Sequence, residues 1–422
     1  MDAGMTISTI FMLFFGGLIP LMLMAYWLAR GKAIRLAVEG KGAGTRLHSL
    51  PSFHGWYAAI WISLPALASG FLFSVLHLSG LLEVPGPMLL ASSFLLAASG
   101  LWMGMQHITL DFRARQAVEK VMRGMLFAAA TISILTTIGI VLSVVFESIR
   151  FFKVISFWDF ITGTKWQPDT AFLIGAGRDT TGVAPPLFGS VPVFAGTFMI
   201  TAIAMLVAVP VGLFSAIYMS EYASFRVRGR LKPMLEILAG IPTVVYGFFA
   251  AITISPIVVK VAHAFGLEAS YTNALAPGLI MGVMIIPFVS SLSDDVIRAV
   301  PQSLRDGSLA LGMTKAETIR HIVLPAAMPG IVSAFLLAMS RAIGETMIVV
   351  MAAGLRPNLT MNPLEGMTTV TVKIVEALTG DQEFDSAFTL AAFALGLVLL
   401  MVTLTLNIVS TIVVRKFKQR YE

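Results

Sequence analysis

The chain has 422 residues, of which 57% are hydrophobic and 12% charged, with a formal net charge of +6 and no cysteine. A charged share about half that of an ordinary soluble domain, with a mean hydropathy of +0.86, excludes a soluble globular fold, and the lack of cysteine excludes disulfides, thiol nucleophiles and thiolate metal sites. The six histidines are scattered without ligand spacing, so no metal and no cofactor is expected, and the basic excess reads as loop charge on a membrane protein rather than as nucleic-acid binding.

Apolar runs of about 20 residues, the length that crosses a bilayer core, recur along the whole chain. They predict an all-α polytopic membrane protein with about nine transmembrane helices, near 6–29, 57–78, 86–107, 125–146, 192–219, 235–260, 275–293, 327–353 and 387–413. The opening MDAGM has no basic n-region, and the long first run is followed by basic residues, which reads as a retained span rather than a cleaved signal. Arg30, Lys32 and Arg35 follow the first span, Arg113, Arg115, Lys120 and Arg123 the third, Arg226, Arg228, Arg230 and Lys232 the fifth, and Arg415, Lys416 and Lys418 the last. All fall on one side if the N-terminus is external and the C-terminus cytoplasmic.

Two parts are expected: an N-terminal membrane extension of about three spans over 1–120, and a six-span part over 121–422. Between the fourth and fifth spans, an external segment at 147–190 carries "WDFITGTKWQPDT" and "GRDTTGVAPPLFGS", a composition of a structured loop with turns. A second external segment covers 354–386.

The polar stretch 294–326 is expected in the cytoplasm. Pro301 suits a first helical turn, and residues 302–311 can run helically through Asp306, Gly307 and Ser308 to Gly312, which suits the left-handed conformation that ends a helix. Thr314 and Glu317 have the spacing of a capping box. A second short helix to about Val323 follows, with Pro325 marking the start of the next span. These local signals also fit a surface hairpin that only connects spans.

Gly312 followed after nine residues by Ile322-Val323-Leu324-Pro325 reproduces the G-x9-I-x-L-P part of the loop by which ABC importer permeases engage their ATPase. The Glu-Ala-Ala of that signature is Asp306-Gly307-Ser308 here. Asp306 keeps the charge, and Gly307 weakens the helix by roughly 1 kcal/mol relative to Ala. "LEILAGIPTVVYGFF", "SLALGMTKAETIRHIVLPAAMPGI" and "RAIGETMIVVMAAG", with "TGTKWQP" before them, resemble the phosphate permeases of the PstC type over about 120–422. The first three spans look like the extension of the longer members.

The resemblance implies a type I ABC importer core of six helices and transport of phosphate by alternating access. It implies a second permease subunit of the PstA type, ATPase subunits of the PstB type and an external phosphate-binding protein of the PstS type, in a bacterial inner membrane. In such a protein the helix at 302–311 would sit in a groove of the ATPase.

Arg341 and Glu345 lie inside the eighth predicted span, where charge costs about 2.5–3.5 kcal/mol on insertion scales. Their four-residue spacing would put them on one helix face. They are either a self-neutralising structural pair or an anion site, in which the planar donors of Arg341 suit phosphate oxygens and Glu345 orients the arginine or accepts a phosphate proton. The resemblance puts both along the translocation path. Gly278 and Gly282 form a GxxxG packing signal; Glu236, Asp294 and Asp295 read as solvated or capping residues at span ends.

The chain has no G-x-x-x-x-G-K-[ST] loop and is not expected to hydrolyse ATP by itself. Alternatives are a permease for molybdate, tungstate or sulfate, or, from other classes, a secondary transporter or a membrane signalling protein. Paired interrupted spans in two repeated halves, the mark of many secondary transporters, are not found, and a signalling protein has no need of an ATPase-coupling loop.

Overall fold

In a computed structural model, residues 7–42, 46–79, 85–168, 186–380 and 386–418 are described. Among them, nine helices are long and apolar enough to cross a membrane. The chain divides into two compact units, 1–138 and 139–422.

In the first unit, α1 (Ile7–Gly42), α2 (Pro51–Leu78) and α3 (Gly86–Gln106) pack together. The packed face of α1 carries Ala25, Ala29 and Ala33, which join Ala58, Ile62 and Ala66 of α2 and Ala97 of α3 in one buried cluster. Lipid is as apolar as these side chains, so small residues that let backbones approach, rather than a hydrophobic drive, hold such helices together. α1 continues well beyond the expected 6–29, because the segment after it is rich in Ala, Arg, Leu and Lys, all good helix formers. Arg30, Lys32 and Arg35 therefore stand on a helical extension, and Lys32 Nζ donates to the Met105 carbonyl at the end of α3 at 2.6 Å. α4 (Ala114–Phe152) starts in this unit and ends in the second.

The second unit opens with an aromatic knot. After α4 come α5 (Phe157–Thr162), β1 (Trp166–Gln167) and its antiparallel partner β2 (Leu187–Phe188), with Trp166 opposite Phe188. Phe151 meets Phe160 and Phe188 edge to face at 5.3 and 5.5 Å. Of the external segment expected at 147–190, residues 147–152 are still helix, and 169–185 lie outside the described residues.

The spans that follow are α6 (Val191–Ile217, extended by a π-helical turn at Tyr218–Tyr222), α8 (Thr243–Phe249), which continues through a π-helical turn into α9 (Ser255–Ala264), α10 (Leu275–Ala299), α13 (Leu324–Ile343) and α16 (Ala387–Lys418). Between them lie α7 (Phe225–Gly240), α11 (Gln302–Ala310), α12 (Lys315–Thr318), α14 (Met347–Ala352) and α15 (Val370–Gly380). α10 is the central element, with 61% of its most apolar window buried. Gly278 and Gly282 let it lie against α6: a Cβ would sit 2.7 Å from Ile203 at the first and 2.8 Å from Val207 at the second.

Two predicted spans need correction. The sixth does not begin near 235: residues 235–240 belong to α7, which buries no residue. The break is at Ile241-Pro242, where the proline forces its predecessor out of the helical region, to φ −71° and ψ 128°. The eighth is not one helix over 327–353. A helical run from Lys315 ends at Ile343, and α14 is a separate turn and a half.

The connection before α10 hydrogen-bonds to the segment expected at 354–386, from Ser270 N to Leu364 O at 2.9 Å and Ala274 N to Glu365 O at 3.0 Å. Asn358 and Asn362 donate to the Glu365 carboxylate. Those bonds, that of Asn358 foremost, hold its pKa below the ordinary carboxyl range.

Candidate functional site

The polar stretch folds as a helix, an elbow and a second helix. α11 ends at Ala310 with Leu311 as its C-cap, and Gly312 turns the chain at φ +87°. Nothing lies within 4 Å of where a Cβ would be at Gly312, so the backbone alone calls for glycine. Thr314 caps α12: its Oγ1 accepts from Glu317 N at 3.3 Å, while the Glu317 carboxylate accepts from Thr314 N at 2.8 Å.

Asp306 is exposed and accepts only from Gln302 Nε2, at 3.1 Å. Gly307 is exposed with open space where a side chain would go. Ser308 is buried, and its Oγ reaches the Arg305 carbonyl at 2.8 Å and Thr318 Oγ1 at 2.9 Å. It ties the two short helices together. Pro325 is not a boundary. A π-helical turn at Ile319–Val323 precedes it, and α12 runs through that turn into α13. The wider turn accommodates a residue that has no N–H and a bulky ring. Ile322 and Leu324 are half-buried on this run and Pro325 is exposed.

What fixes the elbow to the membrane helices is Arg305, which the sequence reading passed over. Its Nη2 donates to Glu221 Oε1 at 3.0 Å and to the Ile297 carbonyl at 2.8 Å, and its Nη1 donates to the Val300 carbonyl at 2.5 Å. It thus closes the open carbonyls at the end of α10, where a cation is favoured, and pairs with the π-helical turn after α6. Lys315 Nζ adds a second tie, 5.0 Å from the Tyr222 ring centre. A basic residue a few positions past a helix end was a usable signal; Glu221, 84 residues away, was not.

Arg341 and Glu345 are not partners on one face. α13 stops at Ile343, Gly344 caps it, and the Glu345 carboxylate accepts from the N–H groups of Met347 and Ile348 at the start of α14, at 2.9 and 3.4 Å. Thr371 Oγ1 donates to the Glu345 carbonyl at 2.8 Å. The glycine and the free N–H groups ahead of a new helix compete successfully with helix continuation. Arg341 has neither an ion pair nor a hydrogen bond among the described residues; its guanidinium lies 5.8 Å from the Phe288 ring centre.

Arg341 lines a cavity of about 350 Å³ between α7, α10 and α13, shared with Lys232, Ser290 and Asp294. Asp294, expected to be solvated or capping, is instead 1% exposed. Its Oδ2 accepts from Arg228 Nη2 at 2.6 Å and lies 3.7 Å from Lys232 Nζ. Two of the basic residues of α7, Arg228 and Lys232, thus turn inward onto a buried carboxylate, as such a charge requires.

Residues 208–422 match the family described as binding-protein-dependent transport system inner membrane component, and residues 17–81 match one described as phosphate ATP-binding cassette transporter. The chain belongs to the first family, as a PstC-type permease. Over 291 residues this permease is 32% identical to the probable ABC transporter permease protein YqgH of Bacillus subtilis, across 68% of this chain and 88% of that protein. Over 277 residues it is 34% identical to the phosphate transport system permease protein PstC 1 of Mycobacterium tuberculosis, across 61% and 81%. The permease also matches PstA 1 of that species, at 31% identity across 55% of this chain and 73% of that one. The elbow, the cavity and Arg341 all lie within 208–422, and the 17–81 match lies within the first unit.

Proposed function

We infer that this chain is the permease subunit of an ATP-driven phosphate importer, moving inorganic phosphate across a bacterial inner membrane by alternating access. The observation that carries this reading is the elbow at 302–318. Its first helix is exposed, with Leu309 and Leu311 at 49% and 86%, and its second is continuous with a membrane span. A cytoplasmic ATPase seated on α11 would move α13 through that connection, since Arg305, Ser308 and the Thr314 cap make the elbow stiff.

Phosphate as cargo is supported by the relatives named for phosphate transport and by the cation of Arg341, which has no carboxylate partner among the described residues. The reading calls for a second permease subunit of the PstA type, ATPase subunits of the PstB type that carry out the hydrolysis, and an external phosphate-binding protein of the PstS type. It takes 1–120 as a membrane extension on a 121–422 transport core, with the N-terminus outside and the C-terminus in the cytoplasm.

Reconstitution with candidate partner subunits in liposomes tests it. ATP turnover should rise when phosphate is delivered by its binding protein, and not when sulfate or molybdate is delivered by theirs. Turnover driven by molybdate or sulfate in place of phosphate would reassign the cargo.

A further inference from the structure

The α10 wall of the Arg341 cavity carries two polar groups left unused among the described residues. Ser290 and Asp294 are one helical turn apart, 0% and 1% exposed, and both line the cavity. Among the described residues, neither Ser290 Oγ nor Asp294 Oδ1 has a hydrogen-bond partner, and Asp294 engages Arg228 and Lys232 through Oδ2. Native folds satisfy most buried polar atoms, and exceptions point to a partner supplied from outside. Arg341 stands on the same cavity, with its donors uncommitted among the described residues.

Such a wall is selective. Arg341 and Lys232 attract any oxyanion, whereas a carboxylate oxygen repels an oxyanion unless a proton lies between them. We propose that this cavity is an inner oxyanion site in which Asp294 is the specificity-determining residue, accepting the O–H of a protonated oxyanion through Oδ1, while Ser290 donates its own hydroxyl hydrogen to a second oxygen of the same ion. This rests on the reading of Arg341 as an oxyanion contact. Hydrogen phosphate carries a proton in both of its forms near neutral pH. Sulfate carries none, and would set oxygen against oxygen at Asp294. Discrimination of this kind is large, because the wrong ion leaves buried groups unpaired.

The chain has no cysteine, so a single reporter thiol can be introduced. Ser291 lines the cavity, is half-buried and is not one of the two polar groups. In the complex assembled with its partner subunits, Ser291→Cys would be modified by a small uncharged thiol reagent, with inorganic phosphate or sulfate added at equal ionic strength. Phosphate should protect at a concentration about tenfold or more below that of sulfate. Adding Asp294→Asn should bring the two anions within about twofold of each other. Arg228→Gln, which removes the Arg228 ion pair and keeps the carboxylate and Lys232, should preserve the preference.

Equal protection by both anions in the parent would overturn the proposal, as would a preference that survives Asp294→Asn or one that disappears with Arg228→Gln. So would an absence of protection by either anion. Arg341→Gln separates this from the underlying reading. Equal protection by both anions that Arg341→Gln abolishes would sink selection at Asp294 and leave Arg341 as the oxyanion contact. Normal phosphate uptake by Arg341→Gln would sink that contact.

Discussion

Two polar places interrupt this apolar chain, and they are built in opposite ways. At the elbow, Arg305 spends its donors on Glu221 and two helix-end carbonyls, Ser308 holds Thr318, and Thr314 and Glu317 satisfy each other. At the cavity, among the described residues, Arg341 has no polar partner, and Ser290 and one oxygen of Asp294 have none either. Satisfied groups fix a shape, and unsatisfied ones keep their binding capacity for something else. The first place suits the transmission of force and the second the handling of an ion.

The sharpest way to break this contrast is at Gly312. A β-branched side chain is a genuine outlier at positive φ, and the strain, on the order of 1–3 kcal/mol, falls on the residue that turns the chain between α11 and α12. Gly312→Val should leave the protein in the membrane and abolish both phosphate uptake and phosphate-stimulated ATP turnover. Normal coupled uptake would mean that the elbow does not need its turn.

Arg341 comes next. Arg341→Lys keeps the charge and loses the two-pronged donor geometry, so uptake should fall strongly with assembly intact. The structure sharpens the expectation for Glu345: with no pair between them, the effects of Arg341→Gln and Glu345→Gln on recovery of the assembled complex should add to within about 0.5 kcal/mol. If the double change instead restores assembly that each single change has lost, the two charges neutralise each other after all.

A smaller effect is expected at Glu221, whose side chain and that of Arg305 are 10% and 12% exposed. Glu221→Gln should destabilise the complex in thermal unfolding by about 2 kcal/mol, less than a fully buried pair because Arg305 keeps its two carbonyls. Uptake should drop more than ATP turnover, since the elbow is loosened while the surface proposed to meet the ATPase is unchanged. The mildest pair brackets the elbow's stiffness: Thr314→Ala should cost about 1 kcal/mol through the lost cap. Gly307→Ala should add up to about 1 kcal/mol of helix stability to α11, because open space surrounds it.

What could be read in the sequence divides along the same line. Apolar run length disclosed the spans, and the turn at Gly312 and the cap at Thr314 are written in neighbouring residues, so local chemistry was enough. The break at Gly344 was missed because the period of the eighth run continues through it; the Glu345 contacts with α14 and α15 decide it. Asp294 was misjudged as solvated because its partner, Arg228, is 66 residues away on a helix whose pairing no local pattern records. The π-helical turn before Pro325 escaped for a related reason: a proline in sequence reads as a stop, and whether the chain widens to admit it depends on what packs around Ile319 and Val323.

The break at Gly344 has a consequence for motion. Arg341 is anchored to the shaft that begins at the elbow. Glu345 is anchored through its carboxylate to α14, which packs on α8 closely enough that a Cβ on Gly247 would sit 3.0 Å from the Met347 carbonyl. The residues between the two charges therefore act as a joint linking two bodies. If the shaft rocks during transport, the gap between this cation and this anion should change, and a pair of labels at the two positions would follow it.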